Sequence, residues 1–391
     1  MSERPPVRTK ENFLVFGSPA LEQEEIDEVV ACLKSRWIGT GPRTAQFERD
    51  FAAYKGVPAA VALHSCTAAL HLAMVALNLK PGDEVITTPL TFCATVNAIL
   101  HAGGTPVLAD IDPVTLNIDP EKVREKITDR TRAILPVHFA GRPCDMDALL
   151  ALAAEHKLSV IEDCAHAIET LYHGRHAGTL GDFGCYSFYV TKNIITGEGG
   201  LILAKKPEHA ARLKVLALHG MSSDAWKRFG DEGYKHYLVT EAGFKYNMMD
   251  LQASLGIRQL EKVERYWRRR GEIWARYMDA LSDLPLTLPA PVEEGTRHAY
   301  HLYSVMVDEE RAGISRDAFL TAMTQQKIGV GVHYLSLPEH PHYQERFGWS
   351  PQDYPHARDI GRQTVSLPIS AKLGDEDVED VIRAVRQVLT R

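Results

Sequence analysis

The sequence predicts an α/β protein with a mostly parallel central sheet. Between about residues 57 and 204, short β-rich runs alternate with capped helical stretches. The runs are almost continuously apolar, the pattern of strands covered on both faces rather than one. The length fits as well: 391 residues, at roughly 100–200 residues per domain, accommodate one large α/β unit and a smaller one. Hydrophobic residues at 45% and charged residues at 24% are ordinary for a globular chain and exclude disordered or collagen-like classes. A chain of this size buries enough apolar surface to fold without disulfide or metal staples.

In chain order, the first 50 residues read as an N-terminal arm. Ser18-Pro19 offers an N-cap with Pro at the first helical position, and Glu22, Glu24 and Glu25 supply an acidic first turn. That helix should fade near Lys34 into a turn-rich loop, Trp-Ile-Gly-Thr-Gly-Pro (37–42). The strand-like runs are 61–64, 84–88, 106–111, 133–139, 159–164, 185–189 and 200–204. Capped helices are expected from Ser65 to Leu79, Thr91 to His101, Asp119-Pro120 to Ile127 and Asp145 to His156. A long helical stretch from Asp250 to Ser282, carrying Arg265, Arg268, Arg269 and Arg270, closes a large domain at 51–282. After Pro285 and Pro289 the texture changes, with a strand in 299–307 and a helix near Arg316 to Gln326, so a smaller C-terminal domain is placed at 283–391.

Several function classes drop out early. The chain has 44 Lys+Arg against 51 Asp+Glu, a net charge of −7, whereas duplex DNA binders carry a basic excess. Cys32, Cys66, Cys93, Cys144, Cys164 and Cys185 form no C-x-x-C pair, and the polar N-terminus MSERPPVRTKEN has no signal-peptide core. Free thiols and a cytoplasmic location are therefore expected. The most apolar stretch, Ala59 to Leu79, contains His64, Ser65, His71 and Asn78 and is no membrane span. The 17 histidines, His340 and His342 included, form no H-E-x-x-H or zinc-type pairing, so no metal is expected.

In a sheet of this kind the ligand sits beyond the carboxyl ends of the strands, where loops meet helix N-termini. Four segments lie there. Ser65-Cys66-Thr67 opens a helix, where free N–H groups and the helix dipole favour an anion; by themselves these residues are equally a plain N-cap. Asp163, in Glu162-Asp163-Cys164-Ala165-His166, ends an apolar strand and could keep a facing ring nitrogen protonated, or merely cap the next turn. Lys192, in Ser187-Phe188-Tyr189-Val190-Thr191-Lys192-Asn193, precedes Gly197-Glu198-Gly199-Gly200; desolvation there would make its amine nucleophilic and suited to a Schiff base, though a lone Lys is usually a surface residue. Gly243-Phe244-Lys245-Tyr246-Asn247 precedes the long helix and could add an anion donor or simply cap it. Together the segments suit a phosphate, a protonated ring nitrogen and a carbonyl awaiting an amine, which are the three features of pyridoxal 5′-phosphate (PLP).

The ordered set closely resembles the DegT/DnrJ/EryC1/StrS sugar aminotransferases. It comprises Ser-Cys-Thr-Ala-Ala-Leu (65–70), Thr-Phe (91–92), Pro-Val-His-Phe-Ala-Gly (136–141) with Asp145-Met146-Asp147, Glu-Asp-Cys-Ala-His (162–166), Thr-Lys-Asn with Gly-Glu-Gly-Gly, and Gly-Phe-Lys-Tyr-Asn (243–247). The resemblance runs from residue 13 to about 380. It implies the fold type I PLP-transferase architecture, aspartate aminotransferase-like, with a small C-terminal α+β domain. It also implies roles: Lys192 binds PLP covalently and shuttles the proton, and Asp163 holds the ring-nitrogen proton. Phe92 stacks on one ring face and Ala165 leaves room on the other, while His166 meets the phenolic oxygen. Cys66, Thr67 and Ser187 hold the phosphate. Asn247 would reach the phosphate from a neighbouring subunit, so the active sites are shared in a homodimer. Many members carry Asn and Arg where this chain has Lys245 and Asn247, which leaves open which of the two faces the phosphate.

The implied reaction is ping-pong. L-glutamate gives its amine to the cofactor, which passes it to a nucleotide-linked keto-deoxysugar (a 4-keto-6-deoxy or a 3-keto sugar). Trp37, Thr40, His333 and Tyr334 match positions lining the substrate pocket. His333 begins His-Tyr-x-x-x-Pro where relatives often show His-Tyr-x-Pro, and by itself is as readily a satisfied loop histidine. Residues 222–241 form an insertion whose Trp226, Lys227, Arg228, Tyr234, Lys235 and Tyr237 could grip a nucleotide diphosphate or be a solvated loop. A cyclitol ketone is the alternative acceptor. A sensor that kept the fold without catalysis should have lost Lys192 or Asp163, and the deoxygenating relatives carry His at the lysine position; both residues are intact here.

Overall fold

The computed structural model describes residues 6–222 and 237–390. Its centre is a seven-stranded sheet built from β1 (Ala60–Leu63), β2 (Glu84–Thr87), β3 (Thr105–Leu108), β4 (Thr131–Leu135), β5 (Ser159–Asp163), β8 (Phe183–Ser187) and β9 (Gly200–Ala204), in the order β1-β9-β8-β5-β4-β2-β3. Neighbours from β8 to β3 run parallel, and β9 is antiparallel to both β8 and β1. Every side chain of β1, β2, β8 and β9 is buried, as the unbroken apolar runs predict. Two short strands, β6 (Leu171–Tyr172) and β7 (Arg175–His176), pair with β10 (Thr296–Arg297) in a side sheet.

Helices cover both faces. Ile161 of β5 packs with α3 (Cys66–Ala76), α4 (Cys93–His101) and α7 (Pro207–Ala217). The next residue back, Val160, points the other way onto α6 (Met146–His156), with Val123 of α5 (Pro120–Lys126) in the same cluster. This is the period-2 alternation of a strand with two dry faces. Farther along that face, Phe47 and Phe51 of α2 (Pro42–Lys55) pack with Ala253 and Ile257 of α8 (Asp250–Glu261) against Phe188 and Leu201.

The arm holds more helix than the sequence suggests. The first helix, α1 (Gln23–Ser35), begins at Gln23 instead of Ser18: Glu22 caps it and Glu25 returns a bond to the Glu22 N–H. Residues before it are held out of the helix by tertiary bonds, from Gln259 Nε2 to the Ala20 carbonyl and from Ser370 Oγ to the Ser18 carbonyl. The loop 37–42 runs directly into α2, whose first N–H groups, of Arg43 and Thr44, donate to the Asp250 carboxylate on another helix. The long stretch 250–282 divides into α8 and α9 (Val263–Ala280) at Lys262, whose ammonium is held by Glu22, Glu24 and Glu25 beside the α1 cap.

Ile273, Trp274 and Tyr277 of α9 share a core with β11 (Tyr303–Met306), β12 (Thr364–Leu367), α11 (Arg316–Gln325) and α14 (Asp375–Leu389). Between these elements lie the short α10 (Glu309–Ala312), then α12 (Pro341–Phe347) and α13 (Pro355–Gln363). Tyr343 of α12 and Ala357 of α13 press on Leu90, Val96 and Leu108, and Asp110 caps α13 by accepting the His356 and Ala357 N–H groups. This ties the C-terminal segment to the loops around the carboxyl end of the sheet.

Trp226, Lys227, Arg228, Tyr234 and Lys235 of the insertion lie outside the described residues. Its two ends pair through a bridge between Met221 and Val239, and Tyr237 and Leu238 are exposed. Among the described residues, no helix is long and apolar enough to cross a membrane.

Candidate active site

At the carboxyl ends of β4, β5 and β8 a cavity of about 460 Å³ opens. Cys66, Thr67, Phe92, Asp163, Ala165, His166, Ser187, Lys192, His333 and Tyr334 all line it. These residues span 269 positions of sequence, from 66 to 334, and the sheet topology is what unites them.

The start of α3 is one wall. Ser65 caps the helix by accepting the Ala68 N–H, so the first N–H groups, of Cys66 and Thr67, have no intrahelical partner and are free to meet an anion. Strand β9 fixes this turn closely. A Cβ on Gly200 would lie 2.2 Å from the Ser65 carbonyl carbon, so only glycine permits the approach.

Asp163 ends β5 at the floor. Its Oδ1 accepts the Ala165 N–H at 3.1 Å and its Oδ2 the Thr95 hydroxyl at 3.0 Å. Burial lifts its carboxyl above the ordinary value, opposed by these two donors and by the nearby Lys192. The preceding residue, Glu162, points to the opposite face and locks the strand. It accepts the N–H groups of Gly178, Leu180 and Gly181 and bonds His138 Nε2 at 3.0 Å. Since His138 Nδ1 accepts the Cys144 N–H, the ring proton sits on Nε2 and is donated to Glu162. Burial pushes the Glu162 carboxyl up, yet these donors hold it below the ordinary range. His138, Glu162 and Cys164 come close enough to suggest a metal group, but these hydrogen bonds already occupy the carboxylate.

Lys192 lies in a tight loop after β8. Its N–H donates to the Tyr189 carbonyl, and the loop closes on itself through Thr196 N–H to the Phe188 carbonyl, with Gly197 at φ +81°. Its Nζ makes no hydrogen bond or ion pair with any described residue. Burial draws the amine down to about 8, with Cys66 and Asp163 opposing. An unbonded amine with that proton affinity is a nucleophile near neutral pH.

His166 accepts the Ala140 N–H on Nδ1, so its proton sits on Nε2, 3.2 Å from the Tyr334 hydroxyl. Burial, with Lys192 and His301 nearby, pushes its basicity well below the ordinary value, which makes it a neutral donor. His333 bonds Ser366 Oγ at 2.9 Å, and burial beside Lys192 lowers it to about 4. Phe92, the N-cap of α4, stands 58% exposed at the cavity edge, free to cover a ligand face.

Trp37, Thr40 and Asn247 are elsewhere. They line a second cavity of about 420 Å³ with Val61, Ala62 and Lys214. Asn247 Nδ2 donates to Thr40 Oγ1 at 2.5 Å, while its buried Oδ1 has no partner among the described residues. Lys245 is exposed.

The structure adds residues that sequence reasoning gave no role. Thr91, Thr95, Tyr189 and Glu198 also line the cavity, and Thr95 bonds both Asp163 and Thr91. Asn193, next to Lys192, is clamped by Glu169, His301 and the Ala299 carbonyl. Asn193 and Tyr189 were within reach of a search, since both lie in the lysine segment; Glu169 carries no local signal.

Comparisons with known proteins agree with one another. The model of the DegT/DnrJ/EryC1/StrS aminotransferase family matches residues 19–386. The chain is 47% identical over 384 residues to the spore coat polysaccharide biosynthesis protein SpsC of Bacillus subtilis, covering 98% of this chain and 99% of that one. It is similar to Spr1654 of Streptococcus pneumoniae, solved in a PLP-form (TM-score 0.89, 32% identity, 97% and 99% coverage) and a PMP-form (TM-score 0.90, 32% identity, 96% and 99% coverage). It is also similar to DesI, solved in the presence of its TDP-sugar product (TM-score 0.87, 31% identity, 99% and 95% coverage).

Proposed function

The chain belongs to the DegT/DnrJ/EryC1/StrS aminotransferase family, whose members are PLP-dependent sugar aminotransferases, and we propose that it moves an amino group from L-glutamate to a nucleotide-linked keto-deoxysugar (a 4-keto-6-deoxy or 3-keto sugar) in a ping-pong reaction. The observation that carries this reading is Lys192: a buried amine without a bond, in one cavity with the Asp163 carboxylate.

The residues present fit PLP. Free N–H groups at the start of α3, with Ser187, face one end of the cavity, a buried carboxylate lies at its floor, and an unbonded amine stands beside it. When bound, the cofactor supplies an electron sink that stabilises negative charge at the substrate carbon. The chain's own residues do the rest. Lys192 Nζ would hold the cofactor covalently and, once released, would move a proton at the substrate carbon. Asp163 keeps a proton on the ring nitrogen, and its burial strengthens that attraction. Phe92 would cover one ring face, Ala165 would clear the other, and the one proton on His166 Nε2, which here faces the Tyr334 hydroxyl, would be given to the phenolic oxygen instead. His333 and Tyr334 bound the substrate side.

The placement of Trp37, Thr40 and Asn247 in a separate cavity supports a homodimer with shared sites. In that arrangement Asn247 Nδ2, which here donates to Thr40 Oγ1, would donate to the cofactor phosphate of the partner subunit, and the unpaired Oδ1 would be left to accept from the substrate. The TDP-sugar in the DesI structure supports the nucleotide-linked acceptor. We assign the nucleotide grip to the 222–241 insertion. Its deletion is expected to weaken affinity for a nucleoside-diphosphate sugar product at least tenfold while leaving glutamate half-reaction rates unchanged, read by calorimetry and stopped-flow absorbance. Equal product affinity removes that role.

The central test is chemical. Borohydride reduction of the purified holoenzyme, followed by peptide mapping, should label Lys192 and no other lysine. A panel of keto acceptors, nucleotide-linked sugars against cyclitol ketones, then identifies the substrate by kcat/KM. A label elsewhere, or none, removes the assignment.

A further inference from the structure

Resting on the cofactor reading above, we propose that Thr95, oriented by Thr91, is a positioning residue that holds the Asp163 carboxylate in the charge state and orientation the ring nitrogen requires. The geometry is a directed chain. Thr95 Oγ1 lies 3.0 Å from Asp163 Oδ2, and Thr91 Oγ1 lies 2.8 Å from Thr95 Oγ1. A hydroxyl has a single proton. The ionised carboxylate only accepts, so Thr95 gives its proton to Asp163, and Thr91 must therefore donate to Thr95. Aligned bonds of this kind polarise one another in a dry interior, and here the three side chains are 1% to 4% exposed.

A threonine inside a helix ordinarily bonds back to a carbonyl one turn earlier. Thr95 instead spans from α4 to β5, 68 residues away in sequence. The second carboxylate oxygen takes the Ala165 N–H. Two donors from two elements thus fix the plane of the carboxylate and leave lone pairs facing the cavity. The titratable groups around Asp163 are Lys192 from the loop after β8, His138 after β4, Tyr334, and the thiols of Cys66, Cys144, Cys164 and Cys185. None of them hydrogen bonds the carboxylate, so the hydroxyl chain is its sole side-chain support among the described residues.

The consequence for the cofactor follows from proton competition. Burial favours a protonated Asp163. The Thr95 hydroxyl bonds the charged form and opposes that. Without it Asp163 keeps its own proton, the ring nitrogen loses its charge, and the ring draws electrons less strongly from the nitrogen joined to Lys192. That nitrogen then binds its proton more tightly.

The test is an absorbance titration of the holoenzyme, which requires no turnover. Thr95→Val is expected to move the pH midpoint of the visible cofactor band upward by about one unit, the tenfold change in proton affinity of one lost charge-assisted bond. Thr91→Val should move it in the same direction by less, and Thr95→Ser should restore the wild-type midpoint. A purely structural threonine would lower the melting temperature without moving the midpoint. Wild-type midpoints in both valine variants overturn the proposal and leave the Lys192 assignment standing. A wild-type protein without a titrating visible band overturns the reading on which the proposal rests.

Discussion

Lys192→Ala is expected to abolish the visible cofactor absorbance and to lower kcat by about 10⁴ or more, because one side chain provides both the covalent attachment and the proton transfer. Absorbance spectra of the purified variant and its turnover with glutamate and a keto-sugar acceptor are the measurements. Retained absorbance with retained turnover would sink the assignment. A second variant separates chemistry from folding. Lys192→Met keeps the length of the apolar stem and removes the amine. In the apo-protein, burial holds the amine near 8 against an ordinary 10.5. A base whose folded value is depressed destabilises the fold while it must carry charge, and that penalty is relieved as pH rises between the two values. Apo Lys192→Met should therefore melt at or above wild type at pH 7, with the difference narrowing from pH 8 toward 10.5. A lower melting temperature at pH 7 would contradict the burial-driven account of this amine.

Much of the cavity was legible because several of its residues sit beside punctuation that has a local cause. Ser65 is an N-cap directly after an apolar run, and Asp163 ends one. Lys192 falls between a strand and a glycine-rich return. Local rules placed these at the carboxyl end of the sheet, and the structure puts ten of the named residues around one cavity. Thr91 and Thr95 escaped because a hydroxyl on a helix looks the same whether it faces solvent or a carboxylate 68 residues away. The helix of the arm ends near Lys34 as its sequence suggests, but its start differs for a related reason. Ser18-Pro19 is a sound start signal, but bonds from Gln259 and Ser370 hold that segment extended, and no window of local sequence contains those partners. The helix α2 was hidden behind Gly41-Pro42, which serves a turn and a first helical turn equally well. Trp37, Thr40 and Asn247 line a second cavity, and nothing in the local sequence around Trp37 and Thr40 separates them from His333 and Tyr334, which line the first.

The buried pair of Glu169 and Arg270 gives the largest expected effect on stability. Arg270 is on α9, which leads into the C-terminal core, and Glu169 follows β5; they are 2% and 0% exposed and are bonded directly. The other Glu169 oxygen accepts Asn193 Nδ2 at 2.7 Å, one residue from Lys192. Arg270→Met leaves a carboxylate buried without its counter-ion and is expected to cost about 3–5 kcal/mol. Adding Glu169→Gln should recover most of that loss, because the glutamine is neutral and its oxygen can still accept from Asn193. Urea unfolding of the wild type, both single variants and the double variant closes the cycle. The double variant should also keep the visible absorbance, since Asn193 retains its bonds to His301 and the Ala299 carbonyl. Glu169→Ala removes the Asn193 acceptor outright and is expected to perturb the absorbance even at temperatures where the protein stays folded. If Arg270→Met unfolds like wild type, the pair is not coupled as its burial requires; if Glu169→Ala leaves the absorbance unchanged, the clamp on Asn193 does not govern the position of Lys192.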